Sequence, residues 1–422
     1  MAIIERLRGL EILDSRGNPT VQATCLLRGG VEAAASVPSG ASVGSAEAHE
    51  LRDGDPTRYR GRGCTKAVAN IEQVIGPAVC GRAFGSQHEL DQFLVELDGT
   101  PNKSRLGANA ILAVSLAFAR ASALEAQVPL YEYFARMVGA VPDALPLLPM
   151  NLFSGGEHAG RQVSIQDVLI LPIAFRTLDA VLTAAHAIYD AAALLIQERY
   201  GMRQLVADEG GLAPPCRNSD EMISLAVEAI TRAGFTPGNE IALALDVAST
   251  HFYSEGEYAL DEQNLDSAAM VEQLRDWTQK YPVVSVEDGL AEEDWESWPV
   301  LLAEIGDRAC VVGDDLLCTN ADRVRRAIKH HACNALLLKV NQAGTLSDAA
   351  AAYHLAIAAG WKVIVSVRSG ETEDHWAADL AVGWNADQFK NGSITRSERL
   401  AKLNRLIQIS RDTGWNIRNW QL

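Results

Sequence analysis

The chain has 422 residues, 48% of them hydrophobic and 22% charged, and a formal net charge of -17. That length buries a sizeable core and suits two domains, one of them large. An acidic chain without a Lys/Arg cluster is a poor partner for nucleic acid or an anionic membrane, so an anionic substrate must be met by local cations or metal ions.

Residues 3–37 alternate like strands, with turn signals at Ser15-Arg16-Gly17-Asn18-Pro19 and at Gly29-Gly30. The pattern predicts a small antiparallel meander. The N-terminus is charged at Glu5 and has no apolar core segment, which argues against a secretory signal. Helical periodicity follows around residues 66–79, 88–97 and 107–126. The most apolar run, residues 108–119, stops at Arg120 and reads as a buried helix, too short to span a bilayer. The seven cysteines are scattered and form no CxxC pair. That spacing argues against a disulfide framework or a zinc cluster, and a reducing cytoplasm is the expected location. Residues 1–140 thus read as an α+β domain, with a boundary in the proline-rich stretch 141–149.

Over residues 141–422 short apolar runs alternate with helical patterns. The runs are LPLLPMNLF, VLILPIA, EIALALDVA, PVVSVEDG, CVVGDDLL, ALLLKVN, KVIVSVRS and DQFKNG. This alternation predicts parallel strands with crossover helices, and eight of them fit a closed α/β barrel. An open doubly wound sheet is the competing arrangement, but no GxGxxG follows a strand.

The runs end in charge: Asp246, Glu287, Asp314, then Lys339, Arg368 and Lys390. A barrel places all six around one rim, where barrel active sites are built. Three converging carboxylates repel unless a cation sits between them, and oxygen ligands without Cys or His select magnesium or a similar ion. A lysine at the end of LLLKVN is costly unless paired or lowered in pKa, and a lowered Lys339 can act as a general base. Arg368 with Ser369 offers a bidentate fork and a hydroxyl, suited to a phosphate. The plainer readings are acids that open loops, a lysine that snorkels to the rim and an arginine in a structural ion pair.

These residues and their surroundings resemble enolase over essentially the whole chain. The matching segments are ILDSRGNPTV, VPSGAS, ELRDGD, LDGTPNKSRLGANAILAVSLA, GGEHAG, DEGGLAP, VGDDLL, LLLKVNQAGT, SVRSGETED and RSERLAKLN. The resemblance implies an enolase-type (β/α)8 barrel with an N-terminal α+β capping domain, and a homodimer or higher homo-oligomer. It implies Mg2+ held by Asp246, Glu287 and Asp314, with Ser39 of the SGAS loop closing over a second Mg2+. Lys339 would take the proton beside the substrate carboxylate. Lys390 would bind near that carboxylate, and Arg368 with Ser369 would hold the phosphate. Glu209 would help the leaving hydroxyl depart, and His158 would lie on a closing glycine-rich loop.

The chain departs from the family pattern in places. The His of SHRSGETED is Val367, and the Glu after Gln166 is Asp167, shorter by one methylene, or about 1.5 Å. HAGN has become His158-Ala159-Gly160-Arg161, SEF has become Thr250-His251-Phe252, and SIEDP has become Ser285-Val286-Glu287-Asp288-Gly289. Proton abstraction and metal binding keep their residues, while the leaving-group side, with Gln166, Asp167, Arg161 and Val367, is altered. Enolase-like enzymes of phosphonate antibiotic pathways that make carboxyphosphonoenolpyruvate are similar in kind, and Arg161 would then meet an extra carboxylate. The alternatives are an ordinary enolase making phosphoenolpyruvate from 2-phosphoglycerate, and a non-catalytic binding protein on the same scaffold.

Overall fold

The first strand signals become β1 (Ala2–Leu13), β2 (Pro19–Leu27) and β3 (Glu32–Ser36), an antiparallel meander extended at its edge by the short β4 (Ala83–Phe84). The structure is a computed structural model that describes residues 1–40, 44–201 and 205–421. The turn between β1 and β2 is built by Asp14, whose Oδ1 accepts from the backbone N–H of Arg16 and of Asn18, each at 2.8 Å. Gly17 supplies the left-handed residue, φ +72°, that this tight turn needs. On β2, Val21, Ala23, Cys25 and Leu27 alternate inward and are fully buried.

Three helices cover that sheet: α1 (Gln87–Asp98), α2 (Ala108–Glu125) and α3 (Leu130–Val138). α1 starts where the Ser86 side chain accepts from the Glu89 N–H and ends at Gly99, φ +71°. α2 has 18 residues and is long and apolar enough to cross a bilayer, as is α4 (Leu178–Tyr200). The helix matches the expected periodicity of residues 107–126, while the expectation that its apolar part is too short to span a bilayer is not met. Burial explains its apolarity, because 78% of α2 and 56% of α4 lie inside the protein.

All eight expected barrel runs form strands. They are β5 (Met150–Ser154), β6 (Asp167–Pro172), β7 (Ile241–Asp246), β8 (Val283–Glu287), β9 (Cys310–Gly313), β10 (Ala335–Leu338), β11 (Lys362–Ser366) and β12 (Gln388–Lys390). They pair in chain order in one sheet. The sheet closes where Leu147 N–H donates to the Asp387 carbonyl at 3.1 Å and Phe389 N–H donates to the Leu147 carbonyl at 2.8 Å. This is an α/β barrel with an N-terminal α+β cap.

The expectation of uniformly parallel strands fails at one place. β6 runs antiparallel to both β5 and β7. Residues 155–166 between β5 and β6 hold no more than a short 3-10 turn at Gly156–His158, and a parallel return needs a longer crossover, usually a helix. Two helices, α4 and α5 (Ser219–Arg232), then bring the chain back to the end of the barrel it left, and β7 resumes the parallel run. The reversal sets Asp167, the first residue of β6, in register with Asp246, the last of β7. A residue that opens a strand thereby reaches the rim where the others close theirs.

The outer helices α6 (Ser267–Lys280), α7 (Trp298–Ile305), α8 (Ala321–His330), α9 (Leu346–Ala358), α10 (Trp376–Gly383) and α11 (Ser397–Thr413) complete the barrel. The cap is tied to it by Arg120 of α2, which pairs with Asp374, and by Ser36 N–H, which donates to the same carboxylate at 2.9 Å. α3 packs on α10 so closely that a Cβ at Gly383 would lie 2.3 Å from the Tyr131 carbonyl oxygen. Gly383→Ala is accordingly expected to destabilise the protein by about 1–3 kcal/mol through overpacking. Chemical denaturation checks this, and an unchanged midpoint would contradict the close contact.

Candidate active site

Each strand delivers its charge to the same rim. Asp246 ends β7, Glu287 ends β8, Asp314 follows β9, Lys339 follows β10, Val367 and Arg368 follow β11, and Lys390 ends β12. Seven buried carboxylates gather here: Asp167, Glu209, Asp246, Glu287, Asp288, Asp314 and Asp315. So many anions out of water must be compensated. Lys390 Nζ donates to Asp246 Oδ2 and to both Glu287 oxygens, each at 2.7 Å. Lys339 Nζ pairs with Asp314, whose other oxygen accepts from Gln342 Nε2 at 2.8 Å. Asp288 accepts the backbone N–H groups of Asp314 and Asp315 at 2.9 and 2.7 Å.

The protonation states follow. Burial works against the charge of Asp246, yet Lys390 brings it down to about 2. Burial and then Asp246 hold Glu287 well above the usual carboxylate range, and Lys390 offsets this in part. Burial and then Asp314 push Asp315 up to about 7. The expected depression of Lys339 is corrected here: burial is the largest influence and opposes its charge, but Asp314 and Glu287 together leave the lysine raised. A lysine held by a carboxylate stays an ammonium. Lys390 is raised likewise, against burial, by Asp246 and Glu287.

A second group faces the first. Ser154 Oγ donates to Asp167 Oδ1 at 2.6 Å, and His158 Nδ1 lies 2.9 Å from Asp167 Oδ2. Asn151 Nδ2 donates to Glu209 Oε2 at 3.1 Å. One ligating atom each of His158, Asp167 and Glu209 lies within 4.8 Å of the others. Burial disfavours the His158 imidazolium, but Asp167 and Glu209 push it up to about 9. Burial raises Glu209, while Arg399, His158, Lys390 and Lys339 together hold it below the usual range. The shortened Asp167 thus still reaches its histidine, because its place at the start of β6 sets it at the rim.

The remaining expected residues lie as follows. Gln166 Nε2 approaches Asp246 Oδ2 at 3.4 Å, and its Oε1 is buried without a partner. Arg368 is buried and held by Glu47 at 2.8 and 3.2 Å, while Ser369 Oγ accepts from Arg16 Nη1 at 3.2 Å. Ser39 Oγ donates to Glu50 at 3.2 Å and accepts from Arg52 at 2.7 Å, and its backbone pairs with Gly370. It does not line the cavity that holds the two lysines. The rest of the SGAS loop, from residue 41, lies outside the described residues. Arg161 is corrected as well: it is exposed, pairs with Glu157 four residues earlier and does not line the cavity.

The cavity wall includes His158, Gln166, Glu209, Asp246, Asp314, Lys339, Val367, Arg368 and Lys390. Its free volume is about 20 Å³, and both lysines in its wall pair with carboxylates. Larger cavities of about 480 and 610 Å³ lie elsewhere, and one of about 510 Å³ adjoins the site through Arg368, with Glu47, Glu50 and Arg52 in its wall. The sequence reading missed Asp288 and Asp315, whose signal was adjacency to expected ligands. It also missed Glu47, a loop acid brought to Arg368 from 321 residues away.

The acidic groups at this rim suit a hard divalent cation. Ligating oxygens of Asp288, Asp314 and Asp315 lie within 4.8 Å of one another, whereas Asp246 and Glu287 of the expected set are bridged by Lys390 Nζ, and the orphaned Gln166 Oε1 lies beside Asp246.

The sequence matches the family models of the enolase C-terminal TIM barrel domain over residues 142–418 and the enolase N-terminal domain over residues 4–134. The chain belongs to the enolase family.

Two outcomes are expected. Magnesium raises the thermal midpoint of the wild type through a stabilisation of about 2.7 kcal/mol at a hundredfold excess over Kd, and Glu287→Gln removes most of that gain. An equal gain in the variant would place the ion elsewhere. In the metal-free protein His158, raised from 6.5 to about 9, contributes stability that is complete below pH 6.5 and is lost as pH rises through 9. Thermal midpoints from pH 6 to 10 should fall in the wild type and flatten over that window in His158→Gln.

Proposed function

We propose that this enolase-family chain catalyses a Mg2+-assisted elimination of water from a 2-phosphoglycerate-type substrate whose phosphorus bears a carboxylate. The product is an enolpyruvyl compound such as carboxyphosphonoenolpyruvate, made on the way to a phosphonate natural product. The observation that carries the finer reading is Val367. It is an apolar, 5% exposed residue in the cavity wall, directly before Arg368 and Ser369. A side chain that cannot donate, accept or carry a proton is out of place in a charged wall unless it serves shape. It is also smaller than the family histidine, which leaves room beside the phosphorus.

Asp246, Glu287 and Asp314 would hold the metal, which when bound supplies positive charge for the developing enolate and neutralises the carboxylates that keep Lys339 an ammonium. The remaining chemistry falls to the chain's own groups. Lys339 Nζ, once neutral, takes the proton from carbon 2, and Lys390 pairs with the carboxylate next to it. Arg368 and Ser369 orient the phosphorus group. The electron pair left at carbon 2 becomes the C2–C3 double bond as the C3–O bond breaks. The departing hydroxide takes the proton shared among His158, Asp167 and Glu209 and leaves as water. A small anionic phosphorylated substrate and a homo-oligomeric enzyme belong to the same reading.

An ordinary enolase reaction on 2-phosphoglycerate is the second reading. It is favoured by the assembled His158–Asp167–Glu209 group, which serves elimination whatever the phosphorus carries.

NMR in D2O with Mg2+ separates the two. The carboxylated substrate should lose water rapidly, while 2-phosphoglycerate should show deuterium at carbon 2 with slow release of phosphoenolpyruvate. Fast turnover of 2-phosphoglycerate, with no advantage to the carboxylated compound, would favour ordinary enolase. Lys339→Ala should lower exchange on both substrates by about 10²–10⁴-fold. Val367→His should lower turnover of the carboxylated substrate without lowering that of 2-phosphoglycerate.

A further inference from the structure

Helix α11 supplies none of the residues that line the small cavity, yet its inner face carries two fully buried cations, Arg399 and Lys402. Arg399 Nη1 donates to the carbonyl of Arg368, and Nη2 donates to the carbonyl of Ser369, each at 2.8 Å. Lys402 Nζ donates to Glu371 Oε2 and to the Thr372 carbonyl, each at 2.7 Å. The whole turn after β11 is thus gripped from behind. The same arginine fixes the next strand end. Its own carbonyl accepts from Asn391 Nδ2 at 2.8 Å, next to Lys390, and its side chain runs so close to Gly392 that a Cβ there would meet Cδ at 3.0 Å. Ser393 N–H then holds the Glu209 carbonyl at 2.9 Å.

A buried guanidinium is costly unless fully partnered. Arg399 ion-pairs with Glu398 at 3.4 Å and also acts on buried Glu209 through space, and neither Arg399 Nε nor Glu398 Oε1 makes a hydrogen bond. Stability alone gives a weak account of such a charge. Its two parallel donors instead fix the spacing of two adjacent carbonyls, which is what a planar fork does and an ammonium cannot.

We propose that Arg399 is a positioning residue that aims Arg368 and Ser369 at the substrate's phosphorus group by holding both of their carbonyls. The proposal rests on the reading of Arg368 and Ser369 as the phosphate side. It extends that reading to a side chain that touches no substrate.

The test is calorimetric titration of the Mg2+-loaded full chain with inorganic phosphate and with 2-phosphoglycerate, in the wild type, Arg399→Lys and Arg399→Gln. Mg2+ affinity and thermal midpoint are measured in parallel. The expected result is at least a tenfold loss of affinity for both probes in both variants, with Mg2+ affinity unchanged. Lysine should not rescue, because it keeps the charge and loses the fork. Wild-type affinity in Arg399→Lys would overturn the proposal and leave the phosphate reading standing. So would parallel loss of Mg2+ and phosphate binding, or failure of both variants to fold, since each marks a purely structural residue. A wild type that binds Mg2+ but neither probe would overturn the phosphate reading and this proposal together.

Discussion

The structure turns on one electrostatic constraint, the burial of seven carboxylates at a single barrel rim. Burial alone would protonate or expel them. Lys390 between Asp246 and Glu287, and Lys339 on Asp314, keep them in place. The cavity these groups line has a free volume of about 20 Å³. Burial works against the charge of Lys339, and Asp314 with Glu287 raises its pKa in spite of it.

The reversed strand β6 is the second determinant. Parallel strands present their C-terminal ends to the active rim. An antiparallel strand presents its start, so Gln166 and Asp167 arrive beside Asp246 before the strand has begun its buried run. The His158–Asp167–Glu209 group depends on this. His158 on the preceding loop meets Asp167 at 2.9 Å, and Asn151 of β5 meets Glu209 at 3.1 Å. Departures from the family pattern that look like damage in one dimension leave this group intact. Val367 and His251 are departures that lie in the cavity wall.

The turn of Arg368 and Ser369 is held from two directions. Glu47 and Arg16 of the cap meet Arg368 and Ser369 in front, and Arg399 with Lys402 of α11 hold the backbone of the same turn behind. Residues far apart in sequence thus set the aim of two side chains.

The sequence by itself determined the elements and the chemistry. Apolar runs of the right length, ending in Asp246, Glu287, Asp314, Lys339, Arg368 and Lys390, specify strands that carry charge to one rim, because strand period and burial are local properties. The tertiary structure alone decided which partners those charges take. Nothing local pairs Arg368 with Glu47, or places two carbonyls on Arg399, since these contacts cross hundreds of residues or depend on helix placement. Nor does the apolar run of β6 encode its direction, because side chains alternate identically in either sense, and the loop of 155–166 decides it. Arg161 shows the opposite failure. Its place beside a site motif suggested a ligand, but the backbone turns it outward to Glu157, where solvent stabilises its charge.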